Sequence, residues 1–81
     1  MKRMEHLEFP GNTVVEITGD SRVLIENHRG VLRYSEEMIS VRVKYGQVCI
    51  NGSRLTLAQM TCGRLVICGC IDSVTLLKGR V

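Results

Sequence analysis

Aromatic side chains are nearly absent. Phe9, Tyr34 and Tyr45 are the only three among 81 residues, and there is no tryptophan. A surface that stacks successive nucleic-acid bases needs aromatic platforms, and two tyrosines supply little of one. Proline occurs once, at Pro10. No apolar run approaches the roughly 20 residues that a membrane-spanning helix requires. No basic segment followed by an apolar stretch opens the chain, so no secretory leader is expected. Acidic tails, basic tails and low-complexity segments are missing as well. A chain of 81 residues forms one domain and cannot hold separate cofactor and substrate lobes, which excludes a multidomain enzyme.

What is present points to strands. Val, Ile and Leu dominate the apolar 44%, and eight glycines punctuate them. The net charge of +3 is weak evidence for a polyanionic partner by itself, but it is unevenly spread. Residues 1–40 carry five Lys/Arg against seven Asp/Glu, whereas residues 41–81 carry six against Asp72 alone.

Residues 1–12 read as an N-terminal arm that ends in a turn at Pro10-Gly11-Asn12, and residues 13–81 as a single all-β domain. Glycines then recur at Gly30, Gly46, Gly63 and Gly79, spaced by 16, 17 and 16 residues. Between them run short alternating apolar stretches: Val15/Ile17, Val23/Ile25, Ile39/Val41/Val43, Val48/Ile50, Leu55/Leu57 and Val74/Leu76. Alternation with period two and β-branched residues is the strand signature. Two architectures fit it. One is a small β-solenoid-like stack, each 16–17-residue repeat a rung with glycine at a corner. The other is an antiparallel meander roll or sandwich, in which Asn51-Gly52 and Tyr45-Gly46-Gln47 are hairpin turns. The regular period favours the solenoid. Gly30, Gly46, Gly52 and Gly63 are the expected structural turns.

The segment Leu24–Tyr34 (LIENHRGVLRY), followed by Gly46-x-x-x-Ile50-x-Gly52 and Ile67-x-Gly69-x-Ile71-x-Ser73-Val74, resembles the YabP/YqfC family of sporulation proteins from endospore-forming bacteria. Leu7-Glu8-Phe9-Pro10 and Ile17-Thr18-Gly19 extend the resemblance from about Leu7 to Leu77. It implies a small cytoplasmic protein of the mother cell with no enzymatic activity and no cofactor to transfer. It also implies a membrane-associated sporulation partner. The cysteines depart from the family pattern, so no family role attaches to them.

Four thiols, Cys49, Cys62, Cys68 and Cys70, invite a zinc reading, but their spacing lacks the paired C-x2-C knuckles that hold zinc. The repeat places Cys49 near Cys68 and Cys70, which would let three thiols converge. A cysteine is otherwise a small hydrophobe filling a core, and inert thiols with no metal are expected. Glu26, His28 and Arg29 form a polar corner between two apolar stretches. No nucleophile is spaced to join His28, which leaves turn chemistry or contact with a partner. Arg42, Lys44, Arg54 and Arg64 are candidates for a basic surface, accompanied along the chain by Arg22, Arg33, Lys78 and Arg80.

The sequence therefore predicts a non-enzymatic structural or assembly protein of endospore formation. It acts in the mother-cell cytoplasm through self-association and a membrane-associated partner, without inserting into the membrane itself. The alternative is a small basic nucleic-acid-binding β-domain. Repeats stacked in order would carry charges of −1, +1, +1 and +2, giving an acidic end and a basic end suited to head-to-tail contact.

Overall fold

The computed structural model describes residues 4–9 and 11–79. Seven strands account for most of them: β1 (Met4–Phe9), β2 (Thr13–Thr18), β3 (Arg22–Glu26), β4 (Val31–Tyr34), β5 (Met38–Val43), β6 (Gly46–Met60) and β7 (Arg64–Lys78). They form one open antiparallel sheet in the order β1-β2-β3-β7-β6-β5-β4. The chain is all-β, as the alternating pattern predicts. The solenoid-like stack does not form. Successive solenoid rungs would pair in parallel at the repeat spacing, whereas every strand pairing here is antiparallel. The last and most basic segment also does not lie at an end, because β7 inserts between β3 and β6. The acidic-to-basic axis that head-to-tail stacking would need is therefore lost.

The long strands β6 and β7 organise the sheet. The first half of β7 pairs with β3, with Val23 opposite Ile67 and Ile25 opposite Leu65. Its second half pairs only with the first half of β6, with Ile50 opposite Val74 and Val48 opposite Leu76. Register shifts at Asn51/Gly52 and between Ser53 and Thr56 mark the place where the hairpin passes from one half of the sheet to the other. Such bulges bend a strand and increase its twist. The two halves thereby cover one core, built from Val15, Ile17, Val23, Ile25, Leu65 and Ile67 on one side and Ile39, Val41, Val43, Val48 and Ile50 on the other.

Two glycines make the bend feasible. A Cβ on Gly52 would collide with the carbonyl oxygen of Cys70, and one on Gly69 would stand 2.6 Å from the carbonyl oxygen of Arg54. The two backbones approach so closely there that neither position accepts a side chain. Asn51-Gly52 is thus not a hairpin turn. The strand continues through it because the opposing stretch of β7 bulges in step. The true turns are Lys44-Tyr45, between the paired Val43 and Gly46, and residues 61–63, where the Thr61 N–H donates to the Arg64 carbonyl at 2.7 Å. Gly30 lies between β3 and β4 with φ +118°, Gly46 opens β6, and Gly63 closes the β6–β7 turn with open space around it.

Within residues 1–12, Met4–Phe9 forms β1 and pairs along its whole length with β2. Pro10 lies outside the described residues, and Gly11 and Asn12 complete the turn at φ 84° and 64°. His6 helps to clamp this edge strand. Its Nδ1 lies 2.9 Å from Glu16 Oε2 and its Nε2 3.4 Å from Glu8 Oε2. Hydrogen bonding to Glu16, then to Glu8, raises its pKa above the ordinary 6.5, against a small opposing effect of burial. A raised folded-state pKa contributes stability that is fully present below 6.5 and is lost as pH rises through the folded value. A proton NMR titration of the His6 ring should therefore have its midpoint above 6.5, and Glu16→Gln should move it back toward that value.

Candidate functional site

The bend and the turns bring cations together at one end of the second half-sheet. Arg29 follows β3, Arg42 lies near the end of β5, and Lys44 begins the β5–β6 turn. The backbone fixes their relation: the Arg29 N–H donates to the Arg42 carbonyl at 2.7 Å, and the Arg42 N–H donates to the Gly30 carbonyl at 2.8 Å. With Leu32, Gln47 and Gly79 they line a shallow groove of about 260 Å³ that, among the described residues, contains three cations and no carboxylate. Lys44 is held on two sides. Its ammonium sits 5.4 Å from the centroid of the Tyr45 ring. Its stem lies against Gly11, where a Cβ would stand 2.6 Å from the Lys44 Cβ. A half-exposed Tyr45 and an exposed Leu32 border this charge, so the groove offers cations and apolar surface together.

The four cations expected to share a basic surface do not stay together. Arg42 and Lys44 do, joined by Arg29. Arg54 is at the other side of the sheet bend, beside Glu36, Glu37, Ser35 and Ser53. Arg64 is occupied by Glu26, with Nη2 3.3 Å from Oε2. Arg80 lies outside the described residues. A continuous basic track of the kind that follows a nucleic-acid backbone is thus not what Arg42, Lys44, Arg54 and Arg64 build.

The polar corner resolves into separate roles. His28 is 7% exposed. Its Nδ1 accepts from the Gly30 N–H at 3.0 Å, and its Nε2 donates to the Thr61 carbonyl at 3.0 Å. The ring is used up in joining the β3–β4 loop to the β6–β7 turn, so it does not face a partner. Glu26 pairs with Arg64, which leaves Arg29 as the member of that trio open to contact.

The thiols do not converge. Cys49 is opposite Thr75, whereas Cys68 is opposite Arg22 and Thr56, and Cys70 is opposite Ser53. From Thr75 back to Cys70 is five residues of strand, roughly 17 Å. Among the described residues no three His, Cys, Asp or Glu groups gather as metal ligands would. Cys49 is buried with Ser40 on the outer face of the second half-sheet, and the Ser40 hydroxyl donates to Gln47 Oε1 at 2.7 Å and lies 3.3 Å from Cys49 Sγ. Sequence alternation assigns these positions to the solvent side, and only the cross-strand register shows that they form a cluster. Cys62 and Cys70 are exposed and Cys68 is half-buried. Alkylation with iodoacetamide followed by mass spectrometry should modify Cys62 and Cys70 first, Cys68 more slowly, and Cys49 only after denaturation.

The arrangement defines a small all-β protein whose clearest feature is a basic, partly apolar groove at one end of a bent sheet. The YabP family profile matches residues 10–81. The chain is also 30% identical over 73 residues to a Bacillus subtilis (strain 168) protein that bears the name "Uncharacterized protein YqfC", an overlap of 84% of this chain and 78% of that one. The chain belongs to the YabP family. No solved structure matches it.

Proposed function

We propose that this protein is a non-enzymatic assembly protein of bacterial endospore formation. It acts in the mother-cell cytoplasm by associating with itself and with a membrane-associated sporulation protein. Membership of the YabP family supports the link to sporulation. Among the described residues no helix is long and apolar enough to cross a membrane, so this reading leaves the membrane anchor to the partner. The observation that carries the partner contact is the groove of Arg29, Arg42 and Lys44. Among the described residues its three cations converge without a carboxylate, beside Leu32 and Tyr45, which suits an acidic segment bearing an apolar side chain.

Capture from sporulating cells, comparing the natural chain with an Arg42→Glu, Lys44→Glu variant, tests this directly. Retention of a membrane-associated sporulation protein by the natural chain, and its loss from the variant, is the expected result. Equal retention by both would remove the groove from the contact. Co-purifying RNA or DNA, with affinity that falls steeply as salt rises, would instead favour the nucleic-acid-binding alternative.

A further inference from the structure

The second half of β7 has a neighbour on one side only. On its other side β3 stops at Arg22, opposite Cys68, and the last backbone bond from that direction runs from the Ile71 N–H to the Asp20 carbonyl at 2.7 Å. Beyond Ile71, from Asp72 to Lys78, no described strand covers that edge. The Gly79 N–H donates to the Tyr45 carbonyl. Antiparallel strands alternate, so Ser73, Thr75 and Leu77 also direct their backbone groups to β6. Val74, Leu76 and Lys78 direct theirs to the empty side.

An edge of this kind pairs with another strand unless something blocks it. Bulges, prolines and inward-pointing charges usually provide the block, and residues 73–77 (SVTLL) contain no proline and no charge. Val74 and Leu76 point toward the core yet remain only half-buried, because the sheet ends beside them. Their inner face lacks the strand that would finish covering it.

The sequence of this edge is complementary to itself. Laid antiparallel about a two-fold axis at Thr75, Val74 falls opposite Leu76 of the second copy and Leu76 opposite its Val74. Asp72 falls opposite Lys78, and Lys78 opposite Asp72. Both charges are exposed, and neither has an ion-pair partner among the described residues. The register also satisfies the hydrogen-bond alternation, since Val74 and Leu76 both have outward-facing backbone groups and would exchange them. Shifting the axis to Val74 or to Leu76 preserves that alternation but separates Asp72 from Lys78.

We propose that the free edge of β7 binds the same edge of a second copy, continuing the sheet across a two-fold axis at Thr75. The proposal rests on the self-association in the functional reading above and identifies the surface that performs it. The interface is isologous, so it closes as a dimer rather than running on as a filament.

Thr75 is the residue that meets its own copy. As a pair without mutual hydrogen bonds, the two Thr75 Cα atoms would lie about 4.5 Å apart, within reach of a disulfide. Cys49 faces Thr75 across β6 and could capture a new thiol there, so in a background carrying Cys49→Ser, Cys62→Ser, Cys68→Ser and Cys70→Ser, Thr75→Cys should form a covalent dimer under oxidised glutathione. Ser73→Cys should not, because its copy is four residues away along the strand. Sedimentation should show a dimer for the natural chain. Asp72→Lys should weaken it about tenfold, since each dimer loses two cross-strand pairs, and adding Lys78→Asp should restore it. Asp72, Ser73, Thr75 and Lys78 are exposed and the cysteine-to-serine exchanges are near-isosteric, so circular dichroism of each variant should match the monomer fold of the natural chain. A salt-insensitive oligomer in which Thr75→Cys does not cross-link would overturn the β7 edge while leaving self-association standing. A strict monomer at about 100 μM would overturn both.

Discussion

Replacing Gly52 with valine is expected to lower the melting temperature of the protein by roughly 12–24 °C. The added Cβ would meet the Cys70 carbonyl oxygen, a backbone atom that cannot rotate aside. Relief would require β6 and β7 to separate at the bend, where the two half-sheets share their core. Overpacking costs about 1–3 kcal/mol where side chains can adjust, and this position sits at the upper end or beyond because only backbone can move. A chain of 81 residues has roughly 4–12 kcal/mol of stability in total. A loss of about 3 kcal/mol lowers the melting temperature of such a domain by roughly 12–24 °C. Gly69→Ala is a milder version of the same change, with the Arg54 carbonyl as the obstacle and φ at +142°. Gly63→Ala is the control. Among the described residues nothing lies within 4 Å of a Cβ at that position, and its melting temperature should stay within a few degrees of the natural chain. Thermal melts followed by circular dichroism separate the three. Equal melting of the Gly52→Val and Gly63→Ala variants would mean that the hairpin does not pinch at Gly52.

The second large effect is expected at Ile67. It is fully buried and stands between Val23 on β3 and Leu57 on β6, so it joins the first half-sheet across the central strand. Truncation to alanine removes three heavy atoms from a site whose neighbours are held by strand pairing and cannot collapse. Isoleucine-to-alanine changes of this type cost about 2–5 kcal/mol. Urea titration should show a midpoint shifted to much lower denaturant with an unchanged slope. Met60→Ala, at a side chain that is 53% exposed, should move the midpoint by less than about 0.5 kcal/mol equivalent. Comparable losses for Ile67→Ala and Met60→Ala would place Ile67 outside the core.

The inward positions were readable from alternation alone. Val15, Ile17, Val23, Ile25, Ile39, Val41, Val43, Val48, Ile50 and Leu55 are all buried, because a pleated strand sends every second side chain to one face. The neighbours of each strand were not readable. Local alternation carries no information about which strand lies alongside, and the even glycine spacing resembles a stack of rungs. One signal in the sequence does point to the bend. Across Gly52 the core-facing apolar positions change from even (Val48, Ile50) to odd (Leu55, Leu57), and along β7 from odd (Leu65, Ile67, Ile71) to even (Val74, Leu76). A phase change inside a continuing pattern marks a bulge, where one extra residue lets the strand keep facing the core as it bends. The groove was half legible. Arg42 and Lys44 were candidates together, but Arg29 joins them only through its backbone pairing with Arg42. The burial of His28 depends on Thr61, 33 residues away, which spacing does not reveal.

The passage of β7 through both half-sheets underlies the groove and the free edge alike. Two-dimensional NMR tests it most directly. Residues opposite each other without mutual hydrogen bonds bring their Hα atoms close, so Hα–Hα cross-peaks are expected between Leu24 and Val66, and between Ile50 and Val74. Cross-peaks at the repeat spacing instead, such as Ile50 with Ile67 in a parallel register, would contradict the bent antiparallel sheet.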